Sequence, residues 1–412
     1  MKRLVDALFP GARVFVPGMT GDSALLHAEL ADDPERARGV HFIGVHFPGI
    51  GDGDYLRAHP EARQTGFFMT PALRAGMREG RAEVLGLDYA ASVRYVREMP
   101  PPDVVYAQLS PPDERGYCSA GICSDFVPLV WQRAKRRVAH VNPAMPRTNG
   151  SFRVHLSELD GMVDAPAPLV TVDDAVPSPV EERIAAHVAA LVRDADTVQF
   201  GIGSVPVALA RSLSSHRGLR LHTGMVTEAV RFLWDAGALD RDARIPNGFA
   251  LGSIDFYRFV AQNERIWMTD AGVTHDIVRI AAIPRFVAVN SAMQVDLLGQ
   301  VNSERAAGVL QAGAGGLPVF ATAALLSPGG RSMICMPSTA RGGTVSRIVP
   351  SLDEGSICNL PRHLADVVVT EHGAAQLRAQ SMDARAQALI GIAAPEHRGA
   401  LAEAWDRMRA RL

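Results

Sequence analysis

The run Gln199-Phe200-Gly201-Ile202-Gly203-Ser204-Val205-Pro206 is the first place in this sequence where residue types and spacing suggest chemistry. Two glycines at a strand end let backbone N–H groups approach an anion, and a helix beginning beside them adds a favourable partial charge. Pro206 suits a first helical turn, where a missing N–H costs nothing. A third glycine is absent, so this is no dinucleotide fingerprint, and alone the pattern also fits a structural tight turn. Three other stretches combine flexible backbone with polar groups: Gly313-Ala314-Gly315-Gly316, Ser291–Asn302 and Gly330–Arg347. In the second, Asp296, Gln300 and Asn302 interrupt an apolar run and need partners from the chain or from a ligand. The third carries Arg331, Arg341 and Arg347, which could grip phosphates or stand in a solvated loop. His41, His46, His222, His275 and His372 show no metal-ligand spacing. Glu114, Glu228 and Glu371 fall at expected strand ends or turns, where a carboxylate is as readily structural as catalytic.

The elements that must position these residues alternate short β-branched runs with amphipathic stretches, the signature of α/β architecture with parallel sheets. Strands are expected at Gly39–Phe47, Ala82–Leu87, Val104–Leu109 and Val138–Val141. The proline-rich stretch Asp164–Pro179 suggests a junction, giving domains 1–175 and 176–412. Ser178-Pro179-Val180-Glu181 reads as a capping box opening a helix. Beyond it, Thr197–Gly201 reads as strand, Val205–Ser214 as helix, Leu219–Thr223 as strand and Met225–Ala236 as helix. A right-handed crossover brings both strand ends to one sheet edge, where ligands of open α/β sheets bind. That gathers Gly201–Ser204 with His222–Glu228. Later strands are expected at Phe286–Asn290, Met333–Met336 and Val367–Thr370, and a closing helix at Ala400–Arg409.

Composition excludes several alternatives. The 412 residues are 47% hydrophobic and 21% charged, with a formal net charge of −2. That favours neither disorder nor binding to nucleic acid or an anionic membrane surface. Only Lys2 and Lys135 are lysines among the 42 basic residues. No lysine-bearing phosphate loop exists, and Schiff-base chemistry has no well-placed amine. Cys118, Cys123, Cys335 and Cys358 form neither a disulfide framework nor a zinc tetrad. The N-terminus has no signal-peptide pattern and no apolar run reaches membrane-spanning length, so a cytoplasmic protein is expected.

Taken in order, several of these segments resemble the acetyl-CoA hydrolase/transferase family, which includes 4-hydroxybutyrate and acetate CoA-transferases. The segments are Ser110–Ser119 (SPPDERGYCS), Asn142–Gly150 (NPAMPRTNG), Gln199–Pro206 (QFGIGSVP), Val295–Asn302 (VDLLGQVN), Gly313–Gly316, Ser346–Pro350 (SRIVP), Val369–Gly373 (VTEHG) and Arg385–Ile390 (RAQALI). The resemblance implies two similar open parallel-sheet α/β domains, acyl-CoA bound between them, and a homodimer or higher homo-oligomer. Partners would be acyl-CoA and a small carboxylate or other acyl acceptor, with no cofactor beyond the CoA thioester and no metal. CoA contacts are expected from Gly201, Ile202, Gly203, Ser204, Val205, Gly224, Gly299, Gly315 and Gly316, with Arg341 (or Arg331 or Arg347) for the phosphates, and Gln199, His222 and Glu228 are the catalytic candidates. In the family, a glutamate attacks the acyl-CoA carbonyl and then carries CoA as a thioester.

The chain departs from that pattern where the chemistry is expected. The family's His-Ser/Thr-Glu-Met segment corresponds to His222-Thr223-Gly224-Met225, which puts Gly224 at the glutamate position. Leu317–Ala323 likewise stands where the family shows a Gln and an Asp-Phe pair. Three accounts follow. Glu228, one helical turn on if the segment is helical, takes over as nucleophile. Alternatively, the site does other acyl-CoA chemistry: hydrolysis with His222 as base, acyl transfer, or decarboxylation. Finally, the chain binds CoA without turnover.

Overall fold

A computed structural model describes residues 1–411. Its chain forms two compact units. The first comprises Met1–Asp173, Gly224–Thr227 and Arg244–His275, and the second Asp174–Thr223, Glu228–Ala243 and Asp276–Leu412. Residues 224–227 and 244–275 are thus embedded in the first unit, although they follow the 175/176 boundary in sequence.

The first unit is built on a seven-stranded parallel sheet. Its strands are β1 (Arg13–Phe15), β2 (His41–Ile43), β3 (Arg63–Gly66), β4 (Ala82–Val84), β5 (Val104–Leu109), β6 (Arg136–Val141) and β7 (Gly161–Asp164), in the spatial order β4-β3-β2-β1-β5-β6-β7. All six residues of β5 are buried, as expected of a central parallel strand covered on both faces. Leu4, Val14, Leu26, Phe42, Tyr55 and Val104 pack in one core cluster. The helix Tyr89–Glu98 starts because the Asp88 side chain accepts a hydrogen bond from the Ala91 N–H at 2.8 Å, which fixes where Tyr89 enters the fold.

The second unit holds a six-stranded sheet, with strands β8 (Thr197–Phe200), β9 (Arg220–Leu221), β10 (Phe286–Ser291), β11 (Arg331–Cys335), β12 (Val367–Thr370) and β13 (Gly373–Gln376). Their order is β9-β8-β10-β11-β12-β13. All pairings are parallel except β12 with β13. Ser178 caps the helix Pro179–Ala189 in a reciprocal box with Glu181, as the sequence pattern indicates. Ile334, Val368, Leu389 and Trp405 belong to this unit's core. No helix among the described residues is long and apolar enough to cross a membrane.

One expected element is corrected. Met225–Ala236 is not a single helix: Met225–Val226 is a short strand parallel to Phe249–Ala250, and the helix runs only from Glu228 to Asp235. Sheet pairing in the first unit outcompetes the helical pattern that Met225, Val226 and Ala229 present in sequence. Gly224 and Glu228 are therefore not one helical turn apart.

Candidate functional site

In the second unit, the parallel register Thr197↔Arg220 and Val198↔Leu221 brings the carboxyl ends of β8 and β9 together. The Thr223 hydroxyl donates to the Phe200 carbonyl at 3.1 Å, so Gly201–Ser204 and His222–Thr223 share that edge. Gly203 has φ +108°, a backbone only glycine adopts readily, and leads into the helix Ser204–Ser212. A Cβ at Gly201 or Gly203 would meet nothing within 4 Å, and Ile202 is exposed. Val205 is buried and anchors the turn. The Ser204 hydroxyl donates to Glu181, whose carboxyl is held below the usual carboxylate range by its hydrogen bonds, against partial burial. A carboxylate from the chain thus already stands at this helix start. Arginine side chains are the better source of positive charge for a phosphate.

Gln199 is buried and accepts from the Asn290 amide at 3.1 Å. His222 is buried with its ring edge-on to Phe286, centroids 6.3 Å apart. Glu228 opens the helix Glu228–Asp235, a favourable place for a carboxylate. It lies near Asp174, whose carboxyl is raised by burial and by the Glu228 charge.

Gly299 (φ +91°) forms the turn between short strands at Gln294–Asp296 and Val301–Asn302, where Asp296 accepts from the Leu298 and Gln300 N–H groups. A Cβ there would stand 2.4 Å from an Arg385 guanidinium nitrogen, so this glycine is required by packing within the chain. Gly315 (φ +61°) and Gly316 lead into the helix Leu317–Leu326.

Two of the three candidate arginines are at a cleft. A cavity of about 460 Å³ is lined by Met293, Ala306, Arg341, Ser346, Arg347 and Asp353, among others. Arg341 is exposed on a turn with φ +50°. Arg347 is half-buried; burial lowers its guanidinium from the ordinary value while Glu371 pulls it back up, and its Nε is buried without a hydrogen-bond partner. Arg331 is corrected out of this group. It begins β11, at the amino end of the sheet, and its guanidinium pairs with the buried Asp196 at 2.9 Å.

Gly224 lies in the first unit, in a buried cluster that sequence patterns did not assemble. An ideal Cβ on Gly224 would stand 2.8 Å from Cε1 and 3.1 Å from Nε2 of His275. The imidazole stacks on Tyr89 with centroids 3.9 Å apart and planes 23° from parallel. Its Nδ1 pairs with the Thr274 hydroxyl at 2.9 Å. Gly248 donates its N–H to the Gly224 carbonyl at 2.8 Å, and a Cβ on Gly248 would lie 3.0 Å from Asp125 Oδ1. Asp125 is buried at φ +29°, its Oδ1 has no hydrogen-bond partner, and burial together with the Asp270 charge pushes its carboxyl up to about 8. Tyr89 is raised well above its ordinary value by burial, then by Asp125. His275 and Asp125 were legible only as isolated polar residues, because no periodicity links positions 125, 224, 248 and 275.

Two α/β units with largely parallel sheets and a glycine loop at a strand edge define the CoA-transferase fold. Solved structures similar to this chain carry the same architecture. RipA from Yersinia pestis superimposes with a TM-score of 0.90 at 28% identity, covering 98% of this chain and 96% of that one. A 4-hydroxybutyrate CoA-transferase from Porphyromonas gingivalis gives 0.81 at 30% identity, covering 99% and 96%. The acetyl-CoA hydrolase/transferase N-terminal domain matches residues 3–177 and its C-terminal domain matches 252–405. A 4-hydroxybutyrate coenzyme A transferase of Clostridium kluyveri is 34% identical over 409 residues, covering 97% of this chain and 95% of the relative. The chain belongs to the acetyl-CoA hydrolase/transferase family.

Proposed function

We propose that this protein is an acyl-CoA-dependent enzyme that cleaves the thioester without a glutamyl-CoA intermediate at position 224. Family membership supports the substrate class. The observation that carries the divergence is at Gly224: the residue has no side chain, and the imidazole of His275 stands where one would begin. The CoA thioester is the substrate, and Arg347 and Arg341 at the cleft supply charge for its phosphates. Backbone N–H groups of Gly201–Ser204, at the start of the helix Ser204–Ser212, are further donors for an anionic group of CoA.

Incubation with a panel of acyl-CoA esters, followed by thiol titration with and without a carboxylate acceptor, tests this reading. CoA release without an acceptor, with no covalent adduct by intact mass, is the expected result. Two other readings have distinct signatures. Transfer through Glu228, favoured by its place at a helix start, requires a glutamyl-CoA adduct that Glu228→Gln abolishes. Binding without turnover requires micromolar affinity and no thiol release. If no CoA ester binds, the proposal fails.

A further inference from the structure

Two glycines in the first unit leave room for two buried polar side chains. Gly224 gives its side-chain space to the imidazole of His275, and Gly248 gives its own to the carboxyl of Asp125. The backbone joins the two positions through the Gly248 N–H to Gly224 carbonyl bond at 2.8 Å. The Gly224 oxygen and Asp125 Oδ1 are each 3.0 Å from the same point, the ideal Cβ of Gly248, so they lie within about 6 Å of each other. Asp125 is also tied to the segment carrying His275, since its carbonyl accepts from the Ala271 N–H at 2.9 Å and the helix Ala271–Thr274 ends at His275.

The imidazole is held rather than merely present. Tyr89 stacks against one face, Thr274 pairs with Nδ1, and the edge bearing Cε1 and Nε2 faces Gly224. A purely structural Asp125 would be costly. A buried carboxyl oxygen without a partner and a left-handed backbone each destabilise the fold, and function is the usual compensation.

Resting on the proposed function, we propose that His275 is the catalytic base of acyl-CoA hydrolysis beside residue 224, with the Asp125 carboxyl donating a hydrogen bond to the thioester oxygen. Nε2 takes a proton from water as the water oxygen bonds to the carbonyl carbon. The C–S bond then breaks and the imidazolium returns its proton to the departing sulfur. The products are a carboxylic acid and CoA thiol, so protons and electrons balance without another reactant. Asp125 holds its proton at neutral pH, as a donor to a developing oxyanion must.

The test follows thiol release from acetyl-, butyryl- and succinyl-CoA by the full chain. His275→Ala is expected to lose about 10²-fold to 10⁴-fold in kcat, the usual range for a general base. Added imidazole is expected to restore part of that rate, which loss of a merely structural ring would not allow. If His275→Ala does not fold, His275→Asn, which lacks a basic nitrogen, is expected to show the same loss. Gly224→Glu alone is expected to form no glutamyl-CoA adduct, because the ring fills its space, whereas Gly224→Glu with His275→Ala is expected to form one. Full activity in His275→Ala or His275→Asn, or an adduct in Gly224→Glu alone, overturns the assignment while leaving the proposed function standing. No thiol release by the unaltered protein overturns both.

Discussion

Replacing Asp125 by Asn should change how stability depends on pH, and the direction follows from the site. The native carboxyl is buried, has an unpartnered Oδ1 and lies near Asp270, so its value rises from 3.8 to about 8. In the unfolded chain the same group ionises near its ordinary value. Between about pH 4 and pH 8 the native state therefore keeps a proton that unfolding releases, and stability falls as pH rises through that window. The slope is about 1.4 kcal/mol per pH unit, so the loss from pH 5 to pH 7 is about 3 kcal/mol. Below the window both states are protonated and above it both are ionised, so the curve flattens. Asn cannot ionise and matches the neutral carboxyl in size. Wild type and Asp125→Asn should therefore diverge across pH 5–7, with the variant gaining relative stability at the higher pH. Urea denaturation at half-unit pH steps measures the divergence. Curves that stay parallel to within about 0.5 kcal/mol would refute the picture of a buried, protonated Asp125.

Four other outcomes are expected. Arg347→Ala should weaken CoA binding by about tenfold to a hundredfold, as for loss of a charge-assisted hydrogen bond. Arg341→Ala, on an exposed turn, should weaken it by fivefold or less, about 1 kcal/mol; titration calorimetry with CoA checks both. Gly203→Ala forces φ +108° on a residue with a Cβ and should cost about 1–3 kcal/mol, read as a lower melting temperature. Arg331→Ala removes one of the donors to the fully buried Asp196, which keeps the Arg193 N–H at 2.9 Å and Arg285 at 3.5 Å, and should destabilise by about 1.5–3 kcal/mol in chemical denaturation.

Much of the second unit was legible because its signals are local. The alternation at Thr197–Gly201, the capping box at Ser178 and the apolar run at Val367–Thr370 each specify an element within a few residues, and β8, β10, β11 and β12 occupy the expected places. The first unit was legible less completely. Its strand at Gly39–Phe47 shortens to His41–Ile43, and its sheet recruits Arg13–Phe15, Arg63–Gly66 and Gly161–Asp164, three short strands that no alternation announces. The fate of Met225–Val226 depends on Phe249–Ala250, a partner some two dozen residues away, so helical periodicity misread it. The cluster around Gly224 was illegible for the same reason. His275 approaches it from the end of a four-residue helix and Asp125 from a strained turn, and nothing in their immediate sequence encodes that meeting.

The segments 224–227 and 244–275 also have a consequence for synthesis of the chain. The first unit needs the Met225–Val226 pairing with Phe249–Ala250 and the bridge of Cys123 to Phe249, so the first 173 residues leaving a ribosome are an incomplete domain. At about 5–20 residues per second, another hundred residues delay completion by about 5–20 s. Throughout that interval the surface that Phe249 later covers stays open. The nascent chain therefore carries exposed apolar surface for that interval, and a fragment ending at the proline-rich stretch is expected to express as an aggregation-prone species rather than as a folded domain, read by its soluble fraction and its sedimentation.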